Sequence, residues 1–230
     1  MAAILNFSAT HQGALIEYRP SERLDRISLK IFGQHEIYDL LDSRLIGLHN
    51  RYNFAAAILA ARLAGASREA IERVIANFET LEHRLEFVEH KSGVLCINDS
   101  KSTTVAASAA ALQAVCEAFP QSSITLLLGG LAKAGSWDSL MSLIRHHSNS
   151  MLPVICFGKD ANIVASHCKV HGIAHQRAAS MSEAYAGAMR QSSRGNIVLL
   201  SPGCASFDEF TDFEERGRAF KALICREGGC

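Results

Sequence analysis

The sequence carries no net charge with which to hold a polyanion: 23 Lys and Arg are matched by 23 Asp and Glu. A nucleic-acid backbone or an anionic membrane surface is therefore excluded as a bulk partner, and any anion must be held locally by a few placed groups. No Gly-x-x-x-x-Gly-Lys-[Ser/Thr] phosphate loop occurs. The segment Gly129–Gly135 has a lysine, but at the wrong spacing and followed by Ala134 instead of a metal-binding hydroxyl. No Gly-x-Gly-x-x-Gly opens a strand–helix unit, which disfavours a nicotinamide or flavin dinucleotide. None of the seven cysteines forms a Cys-x-x-Cys pair, and several lie in apolar runs such as Val94–Ile97 and Val154–Phe157. They read as buried thiols of a reducing compartment, not as disulfides or a zinc knuckle. Met1–Tyr18 lacks a basic flank followed by a sustained apolar stretch, so neither a signal peptide nor a membrane span is expected, and the cytoplasm is the default location.

What is present is the material of an ordinary globular protein, 48% apolar and 20% charged over 230 residues. Asn6–Tyr18 and Arg26–Gly33 carry strand-like runs, but residues 1–50 hold too little apolar material to close a core alone. They read as the end of a domain, and the chain is expected to begin inside a larger protein. Residues 51–78 read as two helices. Phe54–Leu63 is rich in Ala, Leu and Ile. Gly65 ends it, Ser67 caps the next, and Ile71, Val74, Ile75 and Phe78 repeat at helical spacing.

From Arg84 onward apolar strands at Val94–Asn98, Ile124–Leu128, Val154–Gly158 and Ile197–Ser201 alternate with helices at Thr104–Ala118, Trp137–His147, Ala161–His171 and Met181–Gln191. Fully apolar strands alternating with helices specify a parallel sheet covered on both faces. The expected fold class is α/β, a Rossmann-like, doubly wound, mostly parallel sheet. The domain junction is expected at Leu81–Glu86, where helical periodicity stops, giving residues 1–82 and 83–230.

Ligands of such sheets bind beyond the C-terminal ends of the strands. Asn98–Thr104, Gly129–Gly135, Gly158–Asp160 and Ser201–Phe210 follow the four strands, and three of these loops are rich in small, hydroxyl and charged residues. Thr103 lies at an expected helix start. Lys133 follows two glycines that admit a close ligand. Thr211-x-x-Glu214 fits a capping box that puts the Phe213 N–H at the positive end of a helix dipole. A small dicarboxylate held by Thr103 and Lys133 on one side, and Ser206 and the Phe213 amide on the other, suits this pattern. Each loop alone is better read as a turn with a cap; three of them on one edge shift the balance toward a site. The structural alternative for Asp99 with Lys101 is an exposed surface pair of little energetic value.

Asn50 and Asn53, in His-Asn-x-x-Asn, have two readings: carboxamides that read a base edge, or Asn50 as a helix cap, which the spacing alone favours. His167, His171 and His175 are spaced by four, but Gly172 breaks the helix between them, which argues against a metal face. His146 and His147 read as a solvated helix end.

Five ordered segments resemble the Mur ligase family: His49-Asn50-x-x-Asn53, Glu82-His83-Arg84-x-Glu86, Asn98-Asp99-Ser100-Lys101-x-Thr103, Leu127-Leu128-Gly129-Gly130-x-x-Lys133, and Ser201-Pro202-x-Cys204-Ala205-Ser206-x-Asp208-x-Phe210 with Phe213-Glu214-x-Arg216-Gly217. They run from about Leu45 to the end. The Asn-Asp-Ser-Lys segment points to the D-glutamate-adding branch. The resemblance implies that residues 1–82 are the end of a central ATP-binding domain and residues 83–230 the family's C-terminal Rossmann-like domain. The activity it implies is an ADP-forming amide ligase of peptidoglycan precursor synthesis, joining D-glutamate to UDP-N-acetylmuramoyl-L-alanine, with ATP and Mg²⁺ as cofactors. Asn50 and Asn53 would contact adenine; Arg84 and Asp99 would hold the ATP phosphate and ribose, with Lys101 near them. Arg84, Lys101 and Lys133 would be the catalytic cations. Thr103, Lys133, Ser206 and the Phe213 backbone would hold D-glutamate. The uridine domain, the phosphate loop and most Mg²⁺ ligands would belong to a missing half, whether in one polypeptide or as a separate partner chain. These residues alone would then be inactive. A non-catalytic binding module descended from the ligase, or a Mur-type ligase for another amino acid, are the alternatives.

Overall fold

The computed structural model describes residues 2–6, 13–19, 22, 24–31, 33–41, 43 and 45–226. It divides into two compact units, Met1–Thr80 and Leu81–Cys230.

In the first unit β1 (Ala2–Asn6), β2 (Gly13–Arg19), β3 (Leu24–Ile31) and β4 (Gln34–Asp39) form an antiparallel sheet in that order. Ile16, Ile27, Leu29 and Tyr38 from the sheet pack with Phe54, Ile58 and Leu59 of α1 (Leu48–Leu63) and with Ile71 and Ile75 of α2 (Arg68–Asn77). The apolar face of the sheet is thus closed by the helices. Strand β4 has no apolar signal because one of its two buried positions is Glu36. That carboxylate accepts from Arg62 (2.7 and 2.9 Å) and from the Tyr38 hydroxyl (2.5 Å), which is what makes its burial tolerable. Ser67 caps α2 as expected, accepting from the Ala70 amide.

The second unit is a six-stranded sheet. Its strands are β5 (Glu86–Glu89), β6 (Leu95–Asn98), β7 (Ile124–Gly129), β8 (Val154–Phe157), β9 (His175–Ala178) and β10 (Ile197–Gly203), in the spatial order β5-β6-β10-β7-β8-β9. All pairs are parallel except β5 with β6. The helices are α3 (Val105–Ala118), α4 (Asp138–His146), α5 (Ala161–Val170), α6 (Met181–Gln191) and α7 (Phe213–Arg226). Helices α6 and α7 cover the face formed by Leu127, Ile155, Phe157, Val198 and Leu200; α3, α4 and α5 lie on the other. This is the expected doubly wound, mostly parallel α/β sheet. The edge strand β9 carries no apolar run, since none of its four side chains is fully buried. Helix α5 stops at Val170, Gly172 turns the chain at φ 67°, and His175 opens β9, so the three spaced histidines do not share a helix.

Cys96, Cys116, Cys156, Cys168 and Cys204 are free and buried. Cys225 is disulfide-bonded, which corrects the expectation of thiols throughout. No helix among the described residues is long and apolar enough to cross a membrane.

Phe220 of α7 is fully buried and meets the Tyr185 ring edge-on, centroids 5.7 Å apart. Replacing it with alanine leaves a cavity between α7 and the sheet. We expect Phe220→Ala to cost about 3–5 kcal/mol, read as a lowered denaturation midpoint in urea; a loss under 1 kcal/mol would contradict this packing.

Candidate functional site

The chain leaves β6, β7, β8 and β10 at one edge of the sheet, as it must when the strands are parallel, and the four loops are stitched together there. Gly203 N–H donates to Ser102 O (2.9 Å), and Leu131 and Ala205 exchange both backbone hydrogen bonds (2.9 Å each). Asp160 N–H reaches Gly130 O (3.1 Å), Ala132 N–H reaches Asp160 Oδ2 (2.8 Å), and Lys159 N–H reaches Asp208 Oδ2 (3.0 Å). The approach is closest at Gly129 and Gly130. A Cβ there would lie 2.0 Å from Phe157 O and 2.2 Å from Ala205 O, so only glycine fits.

The residues expected to hold a dicarboxylate sit on these loops. Thr103 is half-buried, and its amide donates to Lys101 O (2.8 Å). It is not the helix cap: Thr104 caps α3, accepting from Ala107 N–H (3.3 Å). Lys133 is exposed and Ser206 is buried. Phe213 is the first residue of α7, so its N–H has no acceptor within the helix. The capping box is displaced by one residue from the expected Thr211–Glu214. Asp212 Oδ1 accepts from Glu215 N–H (2.6 Å), and Glu215 Oε2 accepts from the Thr211 amide and hydroxyl (2.7 Å each). The Lys101 ammonium lies 3.8 Å from the centre of the Phe213 ring, a cation–π contact.

Arg84 is exposed. Asp99 corrects the reading of an exposed pair with Lys101: it is 5% exposed and turned inward. Its Oδ2 accepts from Ser102 Oγ and from Ser201 Oγ (2.8 Å), its Oδ1 from Leu85 N–H (3.3 Å). Asn50 and Asn53 belong to α1 of the other unit. Asn50 does not cap α1, whose N-cap is Gly47; it donates to Ile46 O (2.8 Å) and accepts from Asn53 Nδ2 (3.3 Å).

Beneath the loops lie polar residues to which sequence reasoning gave no role. His83 is buried at φ 66°, and its Nδ1 lies 3.0 Å from the Asn98 amide nitrogen, which also donates to Glu86 Oε2 (3.0 Å). Lys221 bridges Glu86 (2.8 Å) and Glu82 (2.6 Å). Burial pushes the His83 imidazole pKa down, favouring its neutral form. The fully buried Arg216 donates to Ser100 and Cys204. The available signal was a polar residue, Asn98, ending an apolar strand, and an arginine inside the amphipathic pattern of α7.

Burial raises the Asp99 carboxyl to about 6, only partly offset by the Ser102, Ser201 and Leu85 hydrogen bonds. A carboxyl whose folded pKa exceeds its unfolded value binds its proton more tightly when folded. Stability from this group therefore falls as pH rises from about 4 to 6 and recovers on acidification. Relative to Asp99→Asn, the parent should gain about 1–3 kcal/mol between pH 7 and pH 4. Parallel pH–stability curves for the two proteins would contradict a buried, titrating Asp99.

Residues 83–204 match the family model described as Mur ligase, glutamate ligase domain, more than half of the chain. The UDP-N-acetylmuramoylalanine–D-glutamate ligase of Syntrophus aciditrophicus is 38% identical over 219 residues, 95% of this chain and 46% of that protein. The ligase of the same name from Bacillus subtilis is 36% identical over 194 residues, 84% of this chain and 41% of that one. The chain thus spans less than half the length of these curated relatives. Among solved structures, the UDP-N-acetylmuramate-alanine ligase MurC of Thermotoga maritima superposes with a TM-score of 0.64 at 13% identity, covering 87% of this chain and 43% of that one. MurF of Acinetobacter baumannii gives 0.62 at 18% identity, covering 92% and 44%. At such identities the likeness is one of fold. Motif order, sheet topology and the family match agree, and the chain belongs to the Mur ligase family.

Proposed function

We propose that this chain supplies the amino-acid-holding part of an ATP-dependent, ADP-forming ligase that joins D-glutamate to UDP-N-acetylmuramoyl-L-alanine in peptidoglycan precursor synthesis. The observation that carries the reading is the convergence of the Thr103, Lys133 and Ser206 loops at one sheet edge, with α7 beginning at Phe213. The relatives named as D-glutamate ligases supply the identity of the amino acid.

In this reading Lys133 and the Phe213 N–H each meet a carboxylate, one as a mobile cation and one as the positive end of a helix dipole. The Thr103 and Ser206 hydroxyls complete the hydrogen bonds. Asn50 and Asn53 are assigned to adenine, and Arg84, exposed and cationic, to phosphate. The proposed part of Asp99 is narrower than direct phosphate and ribose contact, because its oxygens are already engaged inside the fold. It holds the loop that bears Lys101 and Thr103.

The proposed reaction transfers the ATP γ-phosphoryl to the L-alanine carboxylate, releasing ADP. The D-glutamate amine attacks the acyl phosphate carbon, and the tetrahedral intermediate expels phosphate as the amide forms. Lys101 and Lys133 act by positioning and by offsetting negative charge. Among the described residues no three His, Cys, Asp or Glu side chains gather to hold a metal ion. No step is therefore assigned to Mg²⁺ on this chain. The proposed location is the cytoplasm, where ATP and a UDP-linked precursor would be at hand.

Calorimetry tests the site. The chain should bind D-glutamate in preference to L-glutamate. Lys133→Ala and Ser206→Ala should each weaken D-glutamate binding about tenfold, the worth of one charge-assisted hydrogen bond. Arg84→Ala should leave it unchanged. Equal affinity for the two enantiomers, or insensitivity to Lys133→Ala, would overturn the assignment.

A further inference from the structure

Arg216 has no exposed surface, yet its guanidinium hydrogen-bonds to no carboxylate among the described residues. Nε–H donates to Ser100 Oγ and Nη2–H to Ser100 O, both at 2.9 Å, and Nη1–H donates to Cys204 O at 3.2 Å. Ser100 Oγ in turn donates to Phe213 O at 2.8 Å. Gly130 lies against the same group: a Cβ there would come within 3.3 Å of Nη1. One side chain in the first turns of α7 therefore meets the loop after β6, the loop after β10 and the glycine that opens the loop after β7. Asp208 and Glu209 act on it only through space, since Asp208 accepts from Lys159 N–H and Glu209 from Met181 N–H.

Stability does not explain this arrangement. A buried cation with no directly bonded counter-ion is costly, and an apolar side chain of similar volume would serve packing as well or better. The cost is reflected in a pKa lowered by burial to about 10, still leaving Arg216 charged at neutral pH. What an apolar residue lacks is the planar fork that fixes several acceptors in one geometry.

We propose that Arg216 is a specificity-determining positioning residue. By tying the Thr103 and Ser206 loops to the start of α7, it sets the span of the amino-acid site and matches it to a five-carbon dicarboxylate over a four-carbon one. This rests on the site reading above. Glutamate and aspartate carry the same charges, so any electrostatic contribution of Arg216 cancels in their comparison, and only geometry remains. One methylene discriminates by about 10- to 200-fold in a fitted site.

The test is ligand-observed NMR titration of the chain with D-glutamate and with D-aspartate, for the parent, Arg216→Lys and Ser100→Ala. Lysine keeps the charge but loses the fork. Ser100→Ala removes the hydroxyl that accepts from Arg216 Nε–H and donates to Phe213 O, and keeps the Nη2–H bond to Ser100 O, so it carries the test if Arg216→Lys fails to fold by circular dichroism. The parent should prefer D-glutamate, and the folded variants should lose about tenfold of that preference, chiefly through weaker glutamate binding. An unchanged glutamate-to-aspartate ratio in the folded variants would overturn the role of Arg216, even if both affinities fell together, because that is what general loosening would do. A parent that binds no D-glutamate would sink the site reading and this inference with it.

Discussion

A carboxylate taken out of water must find its hydrogen-bond donors inside the protein, and Asp99 finds them in three places. Ser102 belongs to its own loop, Ser201 to the neighbouring strand β10, and Leu85 to the segment entering the sheet. Ser201 is itself held from above, since Ser108 of α3 donates to its carbonyl (2.8 Å). Satisfying one buried charge thus fixes the end of β6, the end of β10 and the start of α3 against each other. The loops that leave these elements inherit that fixed base. Gly203 meets Ser102 just beyond these strand ends.

The unit divides its charged residues by exposure. The cations assigned to ligands, Lys133 and Arg84, are exposed. The polar residues that set the geometry, Asp99, Asn98, His83 and Arg216, are buried and almost wholly engaged with neighbouring loops. A binding site needs both: mobile cations gain affinity only when backbone donors and hydroxyls are already in place. Gly217 shows how tightly the second group is packed. A Cβ there would lie 2.2 Å from His83 Nδ1, so α7 can approach His83 only as a glycine-bearing helix.

Apolar runs made the framework of the second unit readable. Strands β6, β7, β8 and β10 are buried on both faces, and their Val, Ile and Leu content announces them. Strands β4 and β9 carry little apolar signal: β4 buries only Tyr38 and a paired Glu36, and no side chain of β9 is fully buried, so backbone pairing largely defines them. Cap positions slipped by one, from Thr103 to Thr104 and from the Thr211–Glu214 box to Asp212–Glu215, because Thr-Thr and Glu-Glu each offer two adjacent candidates. The convergence of the loops followed from parallel topology. The inward turn of Asp99 did not, since its partners Ser201 and Leu85 lie 102 and 14 residues away in sequence.

In the proposed function these loops and the start of α7 form a single site for one small dicarboxylate. Protein-observed NMR of the chain titrated with D-glutamate addresses it directly. The backbone amides of Thr103, Lys133, Ser206 and Phe213 are expected to shift together along one binding curve, while the amides of β9 and α6 stay still. Shifts confined to one loop, different curves for different loops, or perturbation elsewhere in the sheet would contradict it.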